Sequence, residues 1–489
     1  MLYIGIDLGT SAVKLLLMDG GGEILNVVSK DYPLVFPKPG WSEQNPIDWY
    51  SQSMAGIKEL IKDVDKSQVA GISFGGQMHG LVILDETDEV IRPAILWNDG
   101  RTTAECAYLN EEIGRDKISE YTANIAFAGF TAPKILWIKK NEPENFARIR
   151  KIMLPKDYLA YRLTGVFSTD VSDASGMLLL DVKSRKWSQE MCDLCGISQD
   201  QLPKLYESYQ VTGCLTASVA AELGLSDSVK VAAGAGDNAA AAVGTGTVGD
   251  GMCNISIGTS GTIFISSQKF GVDKYNALHA FAHADGSYHL MGVVLSAAAA
   301  NKWWIEDIIG TTDYFAEEKD IVNLGDNRVF FLPYLMGERS PHNNPDARGV
   351  FIGMSMDTTK IDMNQASLEG VIFALRDSLE IAKSLGIQIE RTKVCGGGAK
   401  SALWLKMTAN IMNIKVDVLE HEEGPALGGA MLAAVACGEY ADVVAASQKI
   451  VKIKETIAPE AALVAKYERR YQQYKSIYPA LKTVFDSIK

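Results

Sequence analysis

The chain has 489 residues, 47% hydrophobic and 22% charged, with 47 Lys plus Arg against 60 Asp plus Glu and a formal net charge of −13. That length exceeds one compact core and suits two domains of roughly 200 to 250 residues each. The acidic balance argues against general affinity for nucleic acid or an anionic membrane, while leaving room for a locally positive nucleotide site.

In chain order, residues 2–19 read as a β-hairpin in which Ile4, Ile6 and Leu8 alternate, the chain turns at Gly9-Thr10-Ser11, and a Leu-rich strand follows. Glycine lets such a turn approach an anion, and its N–H groups with the Thr10 and Ser11 hydroxyls can point at phosphate oxygens. Asp7 is the acidic residue of an otherwise apolar strand, placed where a carboxylate faces phosphates. A carboxylate beside phosphates needs a cation between them, so Asp7 is a candidate ligand for Mg²⁺, an ion that takes few protein ligands and keeps its waters. Lys14, on the same hairpin, can add charge on the phosphate side or stand as a solvated strand lysine.

A helix is expected from about Trp49 to Val64, then a strand-like stretch that passes through Gly75-Gly76-Gln77-Met78-His79-Gly80. Gln77 and His79 each donate and accept hydrogen bonds, which suits a polyol better than an apolar ligand. Trp97-Asn98-Asp99-Gly100-Arg101 adds a polar cluster with an aromatic face of the kind sugars pack against. Cys192 and Cys195 form a lone CxxC with no second pair to complete a metal site. Strands and helices alternate up to a stretch of small residues, 229–251, read as the junction between two lobes with its boundary near Gly246. Within it Gly234-Ala235-Gly236-Asp237-Asn238 offers a carboxylate with room for substrate, so Asp237 is the candidate general base for a hydroxyl attacking a terminal phosphate.

The second half opens with Asn254 to Ser266, NISIGTSGTIFIS, which repeats the first hairpin and offers Thr259 and Ser260 to phosphate. Gly396-Gly397-Gly398-Ala399-Lys400-Ser401 ends like a P-loop but lacks its spacing, and is read as a strand-to-helix turn against which adenine or ribose lies. The segment 424–438, GPALGGAMLAAVACG, reads likewise as a glycine turn feeding a helix. At the end Tyr467, Tyr471, Tyr474, Tyr478, Leu481 and Phe485 mark a core-facing helical stripe that Pro479 should kink or interrupt.

These residues reach a resemblance. Gly129 to Asn141, GFTAPKILWIKKN, and Gly349 to Gly353 with Asp362 to Gly370 look like the two signatures of the FGGY carbohydrate kinases, within the actin-like ATPase superfamily, and the likeness spans nearly the whole length. The resemblance implies an α/β fold of two actin-like (ribonuclease H-like) ATPase domains, residues 1–246 binding sugar and 247–489 binding nucleotide, with the active site in the cleft between them. GQMHG at 76–80, ILWNDGR at 95–101, LPKDYL at 154–159 and PYLMGERSPHNNP at 333–345 point to the branch that phosphorylates D-xylulose at O5 with ATP and Mg²⁺. Carried over by position, Met78 and His79 would bind the ketopentose, with Gln77, Trp97 and Asn238 about it. Asp237 would accept the proton, and Asp7 would act through metal and phosphates. Thr10, Ser11, Lys14, Gly258 and Thr259 would line the phosphates, and Gly397 and Gly398 would border adenosine. Family members carry an Arg-Glu pair in place of Met78-His79 when they take glycerol, which argues against that substrate. Ribulose, fuculose or another polyol stays open, as does an ATP-gated binding protein without kinase activity. The family often forms homodimers, though no segment marks an interface. No basic and apolar leader and no apolar run of membrane-spanning length is read, and with seven cysteines lacking framework spacing this predicts reduced thiols in a cytoplasm.

Overall fold

The computed structural model describes residues 1–421 and 423–488. β1 (Leu2–Leu8) and β2 (Ala12–Asp19) pair antiparallel, and β3 (Ile24–Asp31) extends the hairpin. α1 (Pro46–Leu60) follows, with Asn45 capping its first turn, and leads to β4 (Val69–Gly76), which runs parallel to β1 with Asp7 opposite Gly75. α2 (Thr131–Asn141) and α3 (Pro155–Thr164) lie between β4 and the last strands of this sheet. Those strands are β5 (Val211–Cys214), β6 (Lys230–Ala232) and the short β7 (Ala235–Gly236). The sheet order is β5-β6-β4-β1-β2-β3, with β7 also beside β4.

α4 (Asp237–Gly244) then opens the way to a second sheet, made of β8 (Cys253–Ile257), β9 (Gly261–Ser267), β10 (His279–Ala282) and β11 (Tyr288–Val294). After the long α5 (Lys360–Ser384) come β12 (Arg391–Cys395), α6 (Ala402–Met412), β13 (Lys415–Leu419), α7 (Gly424–Cys437), β14 (Ile453–Ile457) and α8 (Ala461–Ser487). Its order, β10-β11-β9-β8-β12-β13-β14, repeats the first: a central strand, its antiparallel hairpin partner and a third antiparallel strand on one side, two parallel strands and an antiparallel edge on the other. The duplicated hairpins are therefore the structural counterparts of one another.

Strand alternation explains where Asp7 points. Ile4, Ile6 and Leu8 on β1, with Val13, Leu15 and Leu17 on β2, face a core shared with Trp49 and Ile57 of α1. Tyr3, Gly5 and Asp7 occupy the opposite face of β1, and so does Lys14 of β2. α7, from the second half of the chain, lies on that face. Glycines at Gly5, Gly71 and Gly75 let it descend: a Cβ at Gly5 would sit 1.9 Å from the Ala426 carbonyl oxygen, and one at Gly71 2.6 Å from Cys437 Sγ. The two halves thus share a small-residue core built from α4, α7 and the first sheet.

Two sequence expectations are corrected. Residues 424–438 do not form a turn before a helix; α7 begins at Gly424 itself, and Gly428 and Gly429 are interior helix residues. Pro479 does not end α8, which continues to Ser487 with Tyr467, Tyr471, Tyr474, Tyr478 and Phe485 buried on one side. Packing of that stripe outweighs the one hydrogen bond that proline removes. Cys192 and Cys195 are buried free thiols.

Candidate active site

Three parallel strand ends converge at the cleft. Asp7 of β1 sits opposite Gly75 of β4, and Gly75 in turn opposite Ala235 of β7, so Asp7 and Asp237 are brought beside one another at the carboxyl edge of the sheet. Asp237 is the first residue of α4, where the Asn238 N–H donates to its Oδ1 at 2.7 Å. Burial pushes the Asp237 carboxyl up to about 6. Burial, and then the proximity of Asp237, push Asp7 up to about 7. Two acids held so close, each with a raised pKa, define a site short of positive charge.

Met78, His79, Trp97, Asp237 and Asn238 all line one cavity of about 230 Å³, which Phe127, Phe130 and Arg339 complete. His79 is fixed on every side. Its Nδ1 is 2.8 Å from the Gly176 carbonyl oxygen, which can only accept, so Nδ1 carries the proton and Nε2 is left as an acceptor. Burial lowers its pKa to about 3, keeping the ring neutral. The His79 carbonyl receives Thr131 Oγ1 at 3.1 Å and the buried Lys134 ammonium at 2.8 Å, and the ring packs on Phe130 with centroids 4.6 Å apart. The Gly129-Phe-Thr-Ala-Pro-Lys134 segment is thus a cradle for His79. A Cβ on Gly176 would fall 2.4 Å from the His79 ring, and Gly176 has no positive φ to forbid alanine. Gly176→Ala is therefore expected to raise the sugar KM roughly 10- to 100-fold with a smaller change in kcat, read by steady-state kinetics, because it displaces the ring without touching Asp237.

Gln77 departs from the expectation. It lines none of the cleft cavities. Its Nε2 instead donates to Gln44 Oε1 at 3.0 Å, and Gln44 Nε2 donates to the Thr10 carbonyl at 2.6 Å. Strand alternation turns Gln77 behind the first hairpin turn while Met78 faces the cavity, which makes Gln77 a support of the Gly9-Thr10-Ser11 backbone. Asp99 and Arg101 are likewise spent on a buried ion pair at 2.7 Å, and Arg101 lies 3.8 Å over the Trp41 ring.

Thr10 Oγ1 accepts the Trp97 indole N–H at 3.0 Å, so the Asp237 cavity and the first turn share a hydrogen bond. Ser11 is exposed at the turn. Lys14 is not free for phosphate: its ammonium is ion-paired to Glu423, just ahead of α7. Across the cleft, Thr259 and Ser260 are exposed at the tip of the second hairpin. A second cavity, about 250 Å³, contains Gly258 and Thr259 and shares Asn238, Ser260 and Thr262 with the Asp237 cavity. Thr259 then leads into a third, about 970 Å³, bordered by Gly397 and Gly398 with Ala298, Phe315 and Leu403. Gly396 has φ of +85° and would place a Cβ 2.9 Å from the Ile257 carbonyl, so this turn rests directly on the end of β8. The three spaces run in series from a pocket of mixed polar and aromatic lining, past the Gly258-Thr259-Ser260 turn, to a broad apolar one.

Sequence reasoning assigns no role to Phe127, Phe130, Gly176 or Arg339. Phe130 and Arg339 lie within the signature-like segments 129–141 and 333–345, but neither residue type alone signals a pocket wall. Gly176 shows its purpose only through contact with a residue 97 positions away.

The model of the FGGY family of carbohydrate kinases, N-terminal domain, matches residues 2–244, and that of the C-terminal domain matches residues 253–437. A xylulose kinase of Bacillus subtilis is 40% identical over 99% of this chain and 98% of its own. A ligand-bound xylulose kinase of Lactobacillus acidophilus superposes with a TM-score of 0.94 at 28% identity, covering 100% of both chains. A gluconate kinase of the same organism also reaches 0.94, at 27% identity over 100% of this chain and 99% of its own. The backbone is common to kinases of different sugars, so the substrate is decided by side chains in the cavity.

Proposed function

The chain belongs to the FGGY family of carbohydrate kinases, and from that premise we propose that it transfers the γ-phosphoryl group of ATP to O5 of D-xylulose. The observation that carries the reading is the path of cavities that share lining residues, from a small one holding Asp237 and His79 to a large nucleoside-sized one beyond Thr259. The full-length likeness to xylulose kinases supports the choice of sugar.

In this scheme the sugar lies against Met78, His79, Trp97 and Asn238, and the neutral His79 accepts a hydrogen bond from a sugar hydroxyl at Nε2. Asp237 takes the O5 proton as that oxygen attacks the terminal phosphorus. The triphosphate passes between the Gly9-Thr10-Ser11 and Gly258-Thr259-Ser260 turns, whose N–H and hydroxyl groups offer donors from both lobes. Adenosine occupies the apolar space beside Gly397 and Gly398.

The residues also fit Mg²⁺. Asp7 and Asp237 are paired buried acids, with Lys14 engaged by Glu423. Among the described residues no cluster of three or more His, Cys, Asp or Glu forms a self-sufficient metal site, which suits an ion that takes most of its ligands from water and phosphate. Asp7 would hold it, and the ion would supply positive charge against the phosphate oxygens.

An ADP-release assay across D-xylulose, D-ribulose, glycerol and gluconate tests the reading. D-Xylulose is expected to give the highest kcat/KM; preference for any of the others overturns the assignment.

A further inference from the structure

With D-xylulose as the substrate, a premise taken from the proposed function, phosphorylation at O5 constrains the form of the sugar. When this ketose closes into a five-membered ring, O5 is the atom that attacks C2, so the ring form has no O5 hydroxyl to phosphorylate. The reacting species is the open chain, with a free ketone at C2. A ketone oxygen accepts hydrogen bonds and never donates, so recognising it requires a donor in the cavity wall.

Most donors there are already engaged. Trp97 Nε1 donates to Thr10 Oγ1 at 3.0 Å, and His79 Nδ1–H to the Gly176 carbonyl at 2.8 Å. Asn238 Nδ2 gives one N–H to Met78 Sδ at 3.8 Å and keeps a second, uncharged one. The Ser260 and Thr262 hydroxyls donate or accept alike, and so do not separate a ketone from an alcohol. Arg339 is different. Its backbone N–H is used, donating to Glu338 Oε1 at 2.7 Å, but its guanidinium forms no ion pair among the described residues and lies over the Phe127 ring, 5.1 Å from the centroid. Burial pushes Glu338 up to about 8, so near neutral pH the adjacent carboxyl is mostly uncharged and leaves the Arg339 charge uncompensated. A cation lining a substrate cavity without an internal partner is a donor reserved for the substrate.

We propose that the Arg339 guanidinium donates to the C2 carbonyl oxygen of the open-chain ketose while Asp237 receives the O5 proton, and that this pairing selects a ketopentose over a pentitol. A C2 alcohol can also accept from the guanidinium, but it brings an O–H that the guanidinium cannot receive, so its proton must turn to an acceptor elsewhere in the wall, whereas the ketone is satisfied by the charged donor alone.

The test compares kcat/KM for D-xylulose with that for D-arabitol and xylitol, the two pentitols made by reducing C2, in wild type, Arg339→Met and Arg339→Lys. Wild type is expected to favour the ketose strongly. In Arg339→Met the ketose-to-pentitol ratio should shrink about 50-fold, the loss falling on the ketose, and Arg339→Lys should restore part of it. Damaged folding lowers both substrates alike, so an unchanged ratio in both variants overturns the proposal. So does a wild type that turns over the pentitols as well as the ketose. A wild type inactive on D-xylulose overturns the substrate assignment, and is told apart because it appears before any substitution is made.

Discussion

Asp237→Asn should lower kcat for D-xylulose phosphorylation by about three powers of ten while leaving ATP affinity close to wild type. Asparagine keeps the shape of the side chain and its place at the start of α4, but it cannot take the O5 proton. The proposed nucleotide space lies elsewhere, in the cavity bordered by Gly397, Gly398 and Thr259. A pH profile separates loss of the base from general damage. The carboxylate is the working form, and burial raises Asp237 to about 6, so wild-type kcat/KM should fall tenfold per unit below about pH 6 when excess Mg²⁺ holds Asp7 ionised. The residual activity of Asp237→Asn should lose that limb. ADP release measured against D-xylulose, with nucleotide binding by titration calorimetry, reads both effects; an undiminished kcat removes Asp237 as the base.

The chemistry of this site was legible where it depended on short spacings. Each Gly-Thr-Ser turn is announced by alternating apolar residues that stop at glycine, and Asp7 and Asp237 stand out as acids among small or apolar neighbours. What could not be read were facts set by long-range packing. Gln77 and Met78 are adjacent, and only the pairing of β4 with β1 decides that one supports Thr10 through Gln44 while the other faces the Asp237 cavity. Lys14 looks like a phosphate ligand until α7 brings Glu423 beside it from more than four hundred residues away. The duplicated sheet order was implied by the paired hairpins and the family resemblance. The seating of α7 on the first sheet was not, because Gly5 and Gly71 give no local sign of the helix they admit, and the glycines of α7 itself read locally as a turn.

That misreading leads to a prediction whose sign tests the packing. Alanine is about 1 kcal/mol better than glycine inside an isolated helix, so propensity alone has Gly428→Ala stabilise α7. The structure requires the opposite. A Cβ at Gly428 would lie 1.8 Å from the Ala240 carbonyl oxygen of α4, and one at Gly244 would lie 2.2 Å from the Gly424 carbonyl, so the two helices touch backbone to backbone. Backbone cannot swing aside as a flexible side chain can, which places the substitution at the costly end of overpacking, about 3 kcal/mol. For lobes of this size that corresponds to a fall in Tm of roughly 6 to 12 °C, measurable by differential scanning calorimetry. Activity should fall as well, because α4 carries Asp237 at its first residue and any displacement by α7 moves the base relative to the sugar. A Gly428→Ala protein as stable as wild type would mean that α4 and α7 do not meet in this way, and that the lobes are joined by something other than this glycine contact.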